Sequence, residues 1–173
     1  MKPLMVLAGG FGTRLRSLVS DVPKPLAPVA GYPFIFHLIQ HWVAQGINDF
    51  MFLLHYEAPQ IESMLDDLAR RPEFFGIQFK VVVEKIPLGT GGAILNAVDY
   101  FRMSKGFLVA NADTWLGAGV EQLAKETSCA IAAVSVPNSQ RYGSLKFEEN
   151  KISAFVEKSM SEEKGYVNSG LYH

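Results

Sequence analysis

Short uninterrupted apolar runs alternate along this chain with segments in which apolar residues recur every three or four positions. Pro3 to Ala8 is such a run, closed by Gly9-Gly10, and reads as a buried strand. Asp21 to Ala30 carries three prolines and reads as an ordered, irregular loop. Pro33 suits the first turn of a helix that runs to about Gln45 and stops at Gly46. Ile47 to Leu54 is again apolar. Pro59 opens a second helix whose Ile61, Met64, Leu65 and Leu68 share one face, and Pro72 ends it. Ile77 to Val83 reads as a strand. A second glycine-rich turn follows, and then Ala93, Ile94, Ala97, Val98 and Phe101 form a third helical stripe. Gly106 to Ala110 predicts a short buried strand with Asp113 just past its end. Val120 to Glu126 predicts a helix and Cys129 to Val136 a strand. Ser144 to Glu148 and Lys151 to Glu157 read as a hairpin around Glu149-Asn150, and Tyr166 to Tyr172 as a last strand.

Alternating strands and helices predict an α/β fold, a three-layer sandwich around a mostly parallel sheet. In such sheets ligands bind at the carboxyl ends of the strands, where both glycine-rich turns and Asp113 fall. The 173 residues suffice for one domain with a substantial core, spanning 1–173. A formal net charge of -1 speaks against a general nucleic-acid binder, which needs an excess of Lys and Arg. The single cysteine, Cys129, can form no internal disulfide and reads as inert core in a reducing compartment. The apolar start is too short for a signal peptide or a membrane span, so a soluble, cytoplasmic protein is expected.

The turn Gly9-Gly10-Phe11-Gly12-Thr13-Arg14 lets backbone N–H groups approach an anion. It is not a dinucleotide fingerprint, because Leu15 stands where the third glycine belongs. It is not a P-loop, because no Gly-Lys-Ser/Thr follows. Alone it reads equally well as a tight structural turn. Downstream, Pro23-Lys24-Pro25 places a lysine between two prolines that stiffen its backbone. Together these resemble the signature of the sugar-1-phosphate nucleotidylyltransferases, Gly-Gly-x-Gly-Thr-Arg-Leu followed by Pro-Lys-Pro. The resemblance continues through Glu84 to Ala93, a second nucleotide loop, and Asn111-Ala112-Asp113, a metal motif with Ala112 in place of the usual glycine. It also covers Tyr142-Gly143, Glu157-Lys158 and Asn168-Ser169-Gly170 on the sugar side.

That resemblance implies a glycosyltransferase-A-like fold and transfer of a nucleoside monophosphate to a sugar 1-phosphate with release of pyrophosphate. It implies Arg14 on the departing phosphates, Lys24 near the α-phosphate and Asp113 as ligand to Mg2+. Leu7, Ala8, Gly9, Gly10, Gly12 and Thr13 would line the nucleotide from one side, and Glu84, Gly89 and Thr90 from the other. Gly143, Glu157, Lys158 and Asn168 would face the sugar phosphate. Structural alternatives stand beside these: a solvated cation for Arg14 or Lys24, a helix cap for Asp113, an exposed ion pair for Glu157-Lys158. An ionised Glu84 only accepts hydrogen bonds and so complements the N1–H and N2 amino group of guanine, which favours GTP. Within the family, Asp21 to Pro28, Leu88 to Ile94 and Asp113-Thr114 look closest to the D-glycero-D-manno-heptose 1-phosphate guanylyltransferases, with mannose-1-phosphate guanylyltransferases next. No side chain separates a heptose from a hexose by physics.

Other readings are a catalytically silent nucleotide-sugar-binding subunit of the same fold and a nicotinamide-dependent dehydrogenase. Asp113 opposes the first, and the broken fingerprint with Lys24 opposes the second. His37 and His41 have zinc-helix spacing, but Leu38 stands where a catalytic glutamate would be, so they read as structural. The resemblance also implies a further metal-binding aspartate beyond Gly170. Its absence before His173 leads to the expectation of a missing C-terminal segment, weak turnover and an uncovered edge that favours self-association.

Overall fold

A computed structural model describes residues 1–12, 22–140, 142–149, 151–156 and 163–173. In chain order the elements begin with β1 (Leu4–Leu7), a small ribbon of β2 (Pro28–Val29) and β3 (Tyr32–Pro33), α1 (Phe34–Ala44) and β4 (Asp49–Leu54). There follow α2 (Ala58–Ala69), β5 (Gln78–Val83), α3 (Gly89–Tyr100), β6 (Leu108–Asn111) and α4 (Val120–Lys125). The chain then adds β7 (Ile131–Val136), β8 (Ser144–Glu148), β9 (Lys151–Val156) and β10 (Gly165–Tyr172).

The main sheet has the order β5-β4-β1-β6-β10-β8-β9, with β7 also on β10. Strands β5, β4, β1 and β6 are parallel, joined by helical crossovers. From β10 onward every pairing is antiparallel. β10 changes partner along its length: Tyr166 and Val167 pair with β8, whereas Leu171 and Tyr172 pair with β6. Gly170, at φ +72°, lies at the change. A Cβ there would come within 2.7 Å of Asn111 Nδ2, so the crossing needs both the conformation and the size of glycine.

The period-two alternation of the parallel strands explains the layers. Leu4, Val6, Phe50, Phe52, Leu54, Leu108 and Ala110 point to one face and pack under α1, α2 and α4. Met5, Met51, Leu53 and Val109 point to the other, against Ala93 and Ala97 of α3. The small side chains of α3 let it lie close to the sheet. This is the three-layer α/β arrangement expected, extended by an antiparallel half. Burying a Leu or Phe here is worth roughly 1.5–3 kcal/mol each, so the central strands dominate stability.

Helix ends follow the punctuation read in the sequence. Gly46 takes φ +90°, and its N–H and that of Ile47 close on Val43 and Trp42 carbonyls. Pro33 sits one residue before the first helical residue of α1, and Pro59 lies in the first turn of α2. Two expectations are corrected. The second glycine-rich segment is not a turn before α3: the helix begins at Gly89 and contains Gly91 and Gly92. Cys129 is exposed rather than core, because β7 starts only at Ile131 and the residues before it run along the surface.

Candidate active site

The parallel half delivers its chemistry where β1, β5 and β6 end. A cavity of about 360 Å3 opens there. Leu7, Gly9, Gly10 and Phe11 line it from the turn after β1. Glu84, Pro87, Gly89 and Thr90 line it from the loop after β5 and the start of α3. Asn111 and Asp113 line it from the end of β6.

Each segment is held by main-chain geometry. The Ala8 N–H donates to the Leu53 carbonyl (3.0 Å) and its side chain is buried in the core, so Ala8 does not line the cavity. Gly9 leaves only tight space for a Cβ, which would lie 3.1 Å from the backbone nitrogen of His55. Gly12, at φ +60°, lies against Lys24: a Cβ would be 3.1 Å from Lys24 Cβ. Gly12 itself is not on the cavity wall. The Ala112 N–H donates to the Leu7 carbonyl (3.1 Å), which extends the β1–β6 ladder and fixes the residue before Asp113.

Lys24 lies in a short 3-10 turn, Lys24–Leu26, pinned by the buried Pro25. Its Nζ donates to Asp113 Oδ2 at 2.6 Å. Thr114 Oγ1 donates to Asp113 Oδ1 at 3.1 Å, so both carboxylate oxygens have a fixed partner. Lysine and aspartate lie 89 residues apart in sequence, and the fold makes them neighbours. Among the described residues no three His, Cys, Asp or Glu gather into a cation cage. A strand-end carboxylate such as Asp113 could serve as one protein ligand of a hard divalent cation that completes its shell with water and phosphate oxygens.

Glu84 continues β5 by one residue, its N–H donating to the Leu54 carbonyl (2.8 Å). Its Oε2 accepts the Leu88 N–H at 3.1 Å, bridging the loop that leads into α3. Its carbonyl accepts from His55 Nδ1 at 2.9 Å. Gly89 and Thr90 belong to the first turn of α3, where main-chain N–H groups lack helical partners and no side chain caps them.

Of the residues expected to face a sugar phosphate, Gly143 and Asn168 come together, with the Asn168 N–H directed at the Gly143 carbonyl at 3.4 Å. Neither lines the cavity. The Asn168 amide is engaged within β10: Nδ2 donates to the Tyr172 hydroxyl and Oδ1 accepts the Gly170 N–H, both at 2.8 Å. It shapes the bend at Gly170, whose tight contact with Asn111 reaches the cavity wall. Thr13, Arg14, Glu157 and Lys158 lie outside the described residues. His37 and His41 each bond a main-chain carbonyl, of Val29 and Leu116, which fits their structural reading. Phe11, His55 and Pro87 were not legible as site residues. Phe11 occupies the variable position of its turn, and His55 merely follows a strand.

The three strand-end segments around one cavity define a nucleotide-handling α/β fold. Residues 4–173 match the nucleotidyl transferase family, and the chain belongs to that family of enzymes. Enzymes of the family generally work with a divalent metal. The chain is 31% identical over 169 residues to the D-glycero-alpha-D-manno-heptose 1-phosphate guanylyltransferase of Campylobacter jejuni, covering 97% of this chain and 73% of that protein. It is 33% identical over 174 residues to the mannose-1-phosphate guanylyltransferase of Mycobacterium tuberculosis, covering 97% of this chain and 47% of that protein. The crystal structure of HddC from Yersinia pseudotuberculosis complexed with GMP-PN superposes with a TM-score of 0.85 at 34% identity. That match covers 99% of this chain and 76% of the other. No helix among the described residues is long and apolar enough to cross a membrane.

Proposed function

We propose that this protein is a sugar-1-phosphate guanylyltransferase, transferring GMP from GTP to D-glycero-D-manno-heptose 1-phosphate. A phosphate oxygen of the sugar phosphate attacks the α-phosphorus. The bond from that phosphorus to the bridging oxygen of the β-phosphate breaks, and pyrophosphate leaves with the bond's electrons. The observation that carries this reading is the convergence of the Gly9-Gly10 turn, Glu84 and the Lys24–Asp113 pair on one cavity.

The nucleotide lies between the β1 turn and the start of α3, whose N–H groups and glycines admit an anion at close range. Glu84 accepts from the guanine edge. Lys24 and Arg14 offset the charge that builds on the transferring and departing phosphates, the largest demand of such a reaction. Gly143, Glu157, Lys158 and Asn168 are assigned to the sugar phosphate. Asp113 would hold Mg2+, which supplies further charge neutralisation at the phosphates. We read residues 1–173 as one nucleotidyltransferase domain.

Mannose 1-phosphate is the second reading, favoured by the M. tuberculosis relative. Pyrophosphate release from GTP, measured with a panel of sugar 1-phosphates and Mg2+, tests both. Preference for the heptose supports the first reading and preference for mannose the second. No release with any sugar phosphate would overturn the enzyme proposal.

A further inference from the structure

We infer that His55 is a positioning residue that sets the separation of the two nucleotide loops, and through it the choice of base. The inference rests on the proposed nucleotide site and deepens it.

His55 follows β4, whose neighbours in the sheet are β1 on one side and β5 on the other. It therefore lies between the strands that launch both loops, and it touches each. On the β1 side its backbone nitrogen and Cβ pack closely over Gly9, where an added Cβ would lie 3.1 and 3.2 Å from them. Its ring meets Phe11 edge to face, with centroids 5.5 Å apart and planes at 84°. On the β5 side its Nδ1 is 2.9 Å from the Glu84 carbonyl oxygen. A carbonyl can only accept, so Nδ1 carries the proton and donates.

That bond acts on the backbone of the residue that faces the base. Glu84 is anchored at three points: its N–H on Leu54, its carbonyl on His55, and its carboxylate on the Leu88 N–H. The first belongs to the sheet ladder and the third travels with the loop. Only the second ties Glu84 across to the turn that forms the opposite side of the cavity. Without it, the Glu84 peptide can turn and the carboxylate loses its fixed distance from Gly9 and Gly10. Hydrogen-bond readout of a base fails with displacements well under 1 Å, because angle and distance both weaken the bond. His55 thus discriminates without touching the substrate.

Two substitutions separate its parts. Asn places an amide nitrogen near the position of Nδ1, so H55N keeps the donor and loses the ring. Leu keeps apolar volume and loses the donor. Calorimetry of GTP and UTP binding, with no sugar phosphate present, reads the effect. H55L is expected to weaken the preferred nucleotide by up to about tenfold, the scale of one hydrogen bond. The ratio between the two nucleotides should fall with it. H55N should keep the parent ratio within about twofold, on the same scale. A purely structural role would instead lower thermal stability and weaken both nucleotides alike in both variants. An unchanged ratio in H55L overturns the inference, as does a loss in H55N as large as in H55L. If H55L melts below the assay temperature, H55F, which keeps an aromatic ring and loses the donor, takes its place and must flatten the ratio, an unchanged ratio again overturning the inference. A wild type that prefers UTP sinks the guanine assignment and not this inference, since H55L must flatten whichever ranking the parent shows.

Discussion

At the scale of single residues, the Lys24–Asp113 pair separates catalysis from stability. Both side chains are about 40% exposed, so the pair contributes at most about 1 kcal/mol to folding. Asp113→Asn should leave the melting temperature within a few degrees while abolishing metal-dependent pyrophosphate release. Near-normal turnover would remove Asp113 from the mechanism. Lys24→Ala should lower kcat/KM by at least about a hundredfold, as loss of a preorganised charge does, with Arg14→Ala behaving alike. Glu84→Gln keeps an oxygen for the Leu88 N–H, so the loop survives. The change should appear only as a weaker preference for guanine over uracil nucleotides, and identical rankings by calorimetry would exclude Glu84 as the reader of the base. These residues were legible because each sits in a chemically unusual context: a lysine between prolines, a carboxylate past a strand end. His55 was not, because what it does depends on a carbonyl 29 residues away that no local pattern reveals.

At the scale of elements, strands and helices matched their apolar periodicity to within one or two residues wherever burial is strong, as in β4 and α2. α3 was the informative mismatch. Glycine is the poorest helix former after proline, so Gly89 to Gly92 reads as a turn. Packing of Ala93 and Ala97 on the sheet overrides that preference and carries the helix back into the glycines. The three glycines, Gly89, Gly91 and Gly92, are not equivalent. A Cβ at Gly91 meets nothing within 4 Å, whereas one at Gly92 would lie 2.7 Å from Leu88 Cβ. Gly91→Ala should therefore raise stability by up to about 1 kcal/mol, through helix propensity. Gly92→Ala should lower it and displace the loop that Glu84 bridges. Thermal melts of the two variants check this, and equal effects would mean that Leu88 yields freely.

At the scale of the whole molecule, the two halves of the sheet are joined, among the described residues, where β10 crosses from β8 to β6. The parallel half was readable from its buried runs and crossover helices. The order of the antiparallel half was not, since alternation says that a strand exists and not which neighbour it takes. Gly170→Ala should be among the costliest single substitutions in the chain. It forces a positive φ on a side chain and drives a Cβ into Asn111, so unfolding at lower denaturant is expected, with weakened binding at the cavity. Wild-type stability would show that Asn111 can move aside. The crossing also bears on how the chain is born. β10 is last of the ten described strands in chain order yet lies inside the sheet, where β6, β7 and β8 all pair with it. A ribosome releases the other three first, so for a time each nascent chain carries a ready-made β6 edge with nothing to pair it. Its yield during synthesis is then a race between arrival of residues 165–172 and capture of that edge by another growing chain.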